Sequence, residues 1–138
     1  MVNGRFVTFC AVRLDCRTRA LTWANAGHNP PLVVGKGGVR RLEVGGPIVG
    51  LFEHAVFEEE TVTLSPGDWL IVFSDGVSEA MSASGDEYGE TRIVSCVEGH
   101  KSMEPRQLLE ALFADVRDFT RGAPQSDDIT AMVLRYGG

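Results

Sequence analysis

A chain of 138 residues, 43% of them apolar, can bury one sizeable core and is too short for two ordinary domains. Its net charge of -6, spread over a charged fraction of 23% with no basic stripe, excludes a phosphate-backbone partner, so nucleic acid is not an expected ligand. No apolar run approaches the roughly 20 residues of a membrane helix, and Met1-Val2-Asn3-Gly4-Arg5 lacks the layout of a signal peptide, so the expected setting is cytoplasmic with no membrane partner.

Residues 5–14 form a near-continuous apolar run rich in Val, Phe and Thr, which reads as a strand buried on both faces. Residues 21–26 close a hairpin with it, and Gly27-His28-Asn29-Pro30-Pro31 breaks the ladder because two prolines remove two donors. Residues 32–34 and 39–44 flank Lys36-Gly37-Gly38, a second hairpin signal. The glycine-rich stretch 45–50 is a loop or a tight crossing, leading to an exposed strand near an edge at 56–64. Ser65-Pro66-Gly67-Asp68 is a turn, and Trp69-Leu70-Ile71-Val72-Phe73, the most apolar strand, belongs at the centre of a sheet.

Beyond Asp75 the period changes. Met103, Leu108, Leu109, Leu112, Phe113, Val116 and Phe119 recur at helical spacing, predicting a helix over 102–120 with Ser102 as cap and Pro105 in its first turn. Gly122-Ala123-Pro124 ends it, and 129–134 is a last strand. The expected class is α+β: an antiparallel β-sheet sandwich flanked by helices, in one unit spanning 1–138. Cys10, Cys16 and Cys96 are spaced for neither a zinc site nor a redox pair and read as structural thiols.

Candidate chemistry lies at two strand ends. Ser74-Asp75-Gly76 follows the most apolar strand directly, and Asp127-Asp128 precedes the final one. A carboxylate at the mouth of an apolar core needs a positive partner, which is an arginine or, where carboxylates converge, a hard divalent cation. The competing reading is that both are ordinary turns, since Asp and Gly favour turns for local reasons.

The order of several motifs separates the two. Phe6-Val7-Thr8, Asn25-Ala26-Gly27-His28-Asn29-Pro30-Pro31-Leu32, Gly46-Pro47-Ile48-Val49-Gly50-Leu51, Pro66-Gly67-Asp68 running into Ser74-Asp75-Gly76-Val77-Ser78-Glu79-Ala80, Tyr88-Gly89 and Ser126-Asp127-Asp128-Ile129-Thr130 together resemble the SpoIIE and RsbU branch of the metal-dependent type 2C protein phosphatases. The resemblance spans essentially the whole chain. It implies a serine/threonine phosphatase that uses manganese or magnesium and a metal-activated water, with no side-chain nucleophile. It makes Asp75 and Asp127 metal ligands, with Gly76 keeping the turn after Asp75 open for ions and water. Asp128 falls where many relatives have Asn and is expected behind the ligands. Glu79 and His28 match positions that hold carboxylates around an additional metal. For Glu79 the competing role is a first-turn helix acid, and for His28 a hydrogen-bonded histidine fixing the 25–31 turn. The implied partner is a phosphorylated regulatory protein of the anti-sigma-factor-antagonist kind.

Relatives of this branch carry an Asp-x-Ser-Gly-His-Gly motif upstream of the Phe-Val-Thr strand, and its first Asp bridges two metals. No such motif occurs in this sequence. The expectation is therefore a C-terminal portion of the phosphatase domain, poorly active by itself and prone to form a homodimer through exposed edges. The alternative is a non-enzymatic interaction module with a degenerate phosphatase fold.

Overall fold

The computed structural model describes residues 5–50, 52–125 and 127–137. In chain order the elements are β1 (Phe9–Asp15), β2 (Ala20–Ala26), β3 (Leu32–Gly35), β4 (Gly38–Arg41), β5 (Gly45–Gly46), β6 (Glu60–Thr63), β7 (Trp69–Phe73), α1 (Asp75–Ser78), α2 (Gly89–His100), α3 (Pro105–Thr120) and β8 (Ala131–Arg135). One sheet has the order β1-β2-β5 with β6 also paired to β2, and the other has the order β4-β3-β7-β8. Every pairing is antiparallel except the short β2–β5 contact.

Strand β7 explains the layering. Its alternate residues Trp69, Ile71 and Phe73 face α2 and α3, where they meet Ile93, Val97, Leu108, Leu112 and Val116. The residues between them, Leu70 and Val72, face the other sheet and pack with Leu21, Trp23, Leu42 and Leu64. A strand covered on both sides needs apolar residues at every position, which is why this run shows no alternation. The result is three layers: sheet, sheet, helices.

The helix predicted over 102–120 begins later, at Pro105. Its cap is Glu104, whose side chain meets the Gln107 backbone while the Glu104 N–H donates to the Gln107 side chain at 3.3 Å. That reciprocal pair satisfies the first-turn donors that Ser102 would have served from too far upstream. Helix α2 carries no clear sequence signal, and its docking is set by tertiary contacts. The buried Tyr88, just before it, donates its hydroxyl to the Asp115 carboxylate on α3 and stacks edge-on against Phe119 with centroids 5.5 Å apart. Arg41 on β4 grips Glu90 in the first turn of α2 through bonds of 2.9 and 3.0 Å.

Strand β1 departs from the sequence reading. Among the described residues it is an edge strand rather than one buried on both faces: Phe9 is 57% exposed and Val12 37%. Apolar composition is shared by doubly buried strands and by edges whose outer neighbour is not among the described residues, so the run alone does not distinguish them. The expected exposed strand at 56–64 is ordered as a ladder only over Glu60–Thr63, at the sheet margin.

Burial and the Asp115 carboxylate both push the Tyr88 hydroxyl well above the usual tyrosine range. A proton held more tightly in the folded chain stabilises it below the unfolded tyrosine value of about 10, and the contribution is lost as pH rises from there toward the folded value. Urea midpoints measured from pH 8 to 11 should fall at the alkaline end. Tyr88→Phe should flatten that fall while costing roughly 1–3 kcal/mol at pH 8.

Candidate functional site

The end of β7 and the start of β8 are locked to each other by Ser74. Its N–H donates to the Thr130 carbonyl at 2.9 Å, its hydroxyl donates to the Asp128 carbonyl at 3.0 Å, and the same oxygen accepts from the Thr130 N–H at 3.0 Å. These bonds extend the β7–β8 ladder by one step and hold residues 127–130 against the chain that leads into Asp75. Asp75 then opens the single turn α1.

Gly76 completes the arrangement. A Cβ there would lie 2.0 Å from the Asp128 carbonyl oxygen and 3.3 Å from that of Asp127. The space a side chain there would take is therefore filled by the 127–128 backbone. Its lack of a side chain lets the two acidic segments meet. Asp127 is in turn oriented from its own loop: the Asp128 N–H donates to its Oδ1 at 2.7 Å, and the Gln125 side chain donates to its carbonyl at 2.8 Å.

The opposite wall is the turn after β2. Asn25 is the one buried polar side chain among the described residues, and it uses its whole amide. Nδ2 donates to the carbonyls of His28 and Leu42 at 3.0 and 3.2 Å, and Oδ1 accepts from the His28 N–H at 2.8 Å. Gly27 takes a φ of 71°, and a Cβ on it would meet Ile48 Cγ1 at 2.5 Å, so both backbone and space require glycine. Asn29 ties the wall to α1 by donating to Ser78 Oγ at 3.2 Å. His28 Nδ1 lies 2.7 Å from the Asn29 carbonyl, which only accepts, so the Nδ1 carries the proton and Nε2 is the ring's free acceptor when neutral.

Between these walls is a cleft of about 390 Å³ lined by Thr8, Gly27, His28, Asn29, Pro30, Ser74, Asp75 and Asp127. Of the residues singled out from the sequence, it brings together Asp75, Asp127 and His28. Asp128 contributes its backbone to the lock, with its side chain outside the lining. Glu79 also lies outside the lining, and it follows α1 as the C-cap, because that helix is only four residues long and its first-turn acid is Asp75 itself. Thr8, Asn29, Pro30 and Ser74 were not singled out. A polar Asn25 within an apolar strand pattern was the available sign that this turn is held for a purpose.

Asp75 and Asp127 are exposed to the cleft, and among the described residues neither forms an ion pair. Nor do three His, Cys, Asp or Glu side chains among these residues cluster as a ready metal cage. Two carboxylates on a polar, open cleft fit a hard cation that keeps most of its water, as magnesium does, and do not fit a closed site. A thiol nucleophile is disfavoured: burial pushes the Cys10 and Cys96 thiols up, away from the reactive thiolate.

The sequence profile of the family described as Stage II sporulation protein E (SpoIIE) matches residues 1–137. Protein IcfG of Synechocystis is 28% identical over 130 residues, covering 94% of this chain and 20% of that protein. Phosphoserine phosphatase RsbU of Bacillus subtilis is 24% identical over 135 residues, covering 94% of this chain and 39% of that protein. Among solved structures, the SiaA-PP2C domain of Pseudomonas aeruginosa superposes with a TM-score of 0.80 at 24% identity, over 93% of this chain and 51% of that one. The chain thus spans a fifth to two fifths of the two curated relatives and about half of this structural neighbour. The likeness bears out the expected antiparallel sandwich flanked by helices. No described helix is long and apolar enough to cross a membrane.

Gly76→Ala should be damaging, because the methyl group would meet backbone rather than a flexible side chain. We expect a loss of about 1–3 kcal/mol in urea unfolding, against a few tenths for Gly37→Ala, whose Cβ would meet nothing within 4 Å.

Proposed function

The chain belongs to the SpoIIE family, and from that premise we propose that its cleft is part of the active site of a metal-dependent protein serine/threonine phosphatase. The observation that carries this reading is the convergence of Asp75 and Asp127, distant in sequence, on one polar cleft with no protein cation paired to either among the described residues. Their carboxylates would hold Mn2+ or Mg2+. When bound, such an ion supplies charge for the phosphoryl oxygens and lowers the pKa of a coordinated water.

The chain's own groups position the site. The Asp128 N–H fixes the Asp127 carboxylate, Ser74 and Gly76 keep the two acidic segments together, and Asn25 and Asn29 hold the facing wall. His28 fixes its turn. Glu79 is assigned no ligand role because it stands outside the cleft lining. The proposed substrate is phosphoserine or phosphothreonine on a regulatory protein, of the kind that antagonises an anti-sigma factor. The name of the RsbU relative, a phosphoserine phosphatase, supports that class. We further propose that residues 1–138 form part of one SpoIIE/RsbU-type domain.

With two carboxylates in the cleft, affinity for the ion is expected to be weak and turnover slow. Calorimetric titration with MnCl2 should show weak binding, reduced at least about tenfold by Asp75→Asn or Asp127→Asn and much less by Glu79→Gln. Phosphate release from a phosphoserine peptide should be slow, dependent on Mn2+ and lost in both aspartate variants. Turnover that survives chelation, or that survives both substitutions, would rule the reading out. The same lack of a three-ligand cluster among the described residues favours one rival, an interaction module with a degenerate phosphatase fold. Unchanged heat on adding Mn2+ at any concentration, with no phosphate released, would decide for it.

A further inference from the structure

Resting on the phosphatase reading of the cleft, we propose that Asn29, anchored by Ser78, is a substrate-contact residue whose remaining amide N–H donates to a phosphoryl oxygen. Ionised aspartates only accept hydrogen bonds, so a phosphoryl group needs donors from elsewhere in the lining. The lining side chains supply few. Ser74 donates its one hydroxyl proton to the Asp128 carbonyl, and His28 donates its Nδ1 proton to the Asn29 carbonyl. Neutral His28 then has only an acceptor left, at Nε2, and Pro30 has no donor. Two uncommitted side-chain donors remain among the described lining residues: the Thr8 hydroxyl and the second N–H of Asn29.

Asn29 is the better held of the two. An amide carries two N–H groups in one plane, and donation of one to Ser78 Oγ at 3.2 Å fixes that plane while leaving the other N–H unengaged. Its backbone is fixed as well: the Asn29 carbonyl accepts from the His28 ring, and the His28 N–H and carbonyl are both held by the buried Asn25. The anchor lies on α1, the same single turn that begins with Asp75, so donor and carboxylate are tied to one element. A donor fixed before its ligand arrives loses little freedom on binding, which makes it effective toward an anionic oxygen. The Thr8 hydroxyl is exposed and turns freely.

A merely structural strap between Asn29 and Ser78 has different consequences. Removing either partner would then loosen the two walls and weaken ion and substrate alike, by the same amount from either side. Direct donation makes the two residues unequal, because Ser78→Ala leaves the Asn29 amide in place and Asn29→Ala removes it. Asn29→Asp separates the roles further. Its carboxylate can still accept from the Ser78 hydroxyl and keep the strap, but it offers no N–H, and it adds a negative charge to the lining.

The test reads ion and substrate separately on the whole chain: calorimetry with MnCl2, then phosphorus NMR line broadening of O-phosphoserine by the Mn2+-loaded protein. Asn29→Ala should raise the O-phosphoserine dissociation constant about tenfold while moving that of Mn2+ less than about twofold. Ser78→Ala should raise the former only about two- to threefold, and both substitutions together no more than Asn29→Ala alone. Asn29→Asp should tighten Mn2+ at least about twofold and weaken O-phosphoserine at least as much as alanine does. Unchanged O-phosphoserine affinity in Asn29→Ala, with Mn2+ still lost on Asp75→Asn, would overturn the inference and leave the phosphatase reading standing. So would a parallel loss of Mn2+ and O-phosphoserine in both single variants, the mark of a strap, or a loss in Thr8→Val with none in Asn29→Ala. Mn2+ affinity untouched by Asp75→Asn and Asp127→Asn would remove the phosphatase reading itself, and this inference with it.

Discussion

Everything in this fold is arranged around the burial of β7 on both faces. Trp69, Ile71 and Phe73 serve the core under the helices, and Leu70 and Val72 serve the core between the sheets, so one five-residue strand couples the three layers. Its far end leads directly into the cleft. The chain leaves the core at Ser74 and immediately presents Asp75, while β8, bonded along the whole of β7, delivers Asp127 and Asp128 to the same place. Charged residues are costly inside such a layer and cost little one residue beyond it. The acidic pair therefore sits as close to rigid structure as a carboxylate can without being desolvated.

The cleft is held from two directions by bonds of different kinds. On the acidic side the Ser74 hydroxyl and backbone hold the 128–130 backbone, and no room is left for a side chain at Gly76. On the other side one buried amide, Asn25, gathers the His28 and Leu42 backbones, and Asn29 links that turn to α1. A buried polar group is tolerated when all its partners are supplied, and it then fixes one conformation. The two walls are thus held in register by one buried amide and by the single Asn29–Ser78 side-chain bond between them.

How far this was legible in the sequence depends on which force decides each element. Strand β7 and helix α3 are set by dense local patterns, and both were readable, although the α3 boundary moved to Glu104 because capping depends on the Gln107 partner. Helix α2 was not readable: Gly89, Gly99 and β-branched residues weaken its propensity, and Tyr88, Asp115 and the Arg41–Glu90 pair hold it from outside. The placement of β1 failed because an apolar run reports that a strand has apolar neighbours to meet, and says nothing of where they come from. Asp75 and Asp127 were picked out by their position at strand ends and by motif order. The role of Gly76 was not, since close approach to a backbone distant in sequence leaves no local signature.

The electrostatics of the cleft set what kind of ligand it can recruit. Two carboxylates, with no cation paired to either among the described residues, repel each other and any anion, so a phosphate ester alone meets an unfavourable field there. A cation reverses that sign. Because the carboxylates are exposed, an ion of the proposed kind would exchange water for protein oxygens at small desolvation cost and would leave as readily. The same openness that makes the acidic pair inexpensive to fold makes it weak as a trap. On the proposed reading, a further oxygen donor, a phosphoryl group included, would complete the ion's coordination and raise its occupancy at a given concentration, so that ion and substrate would bind more tightly together than either does alone.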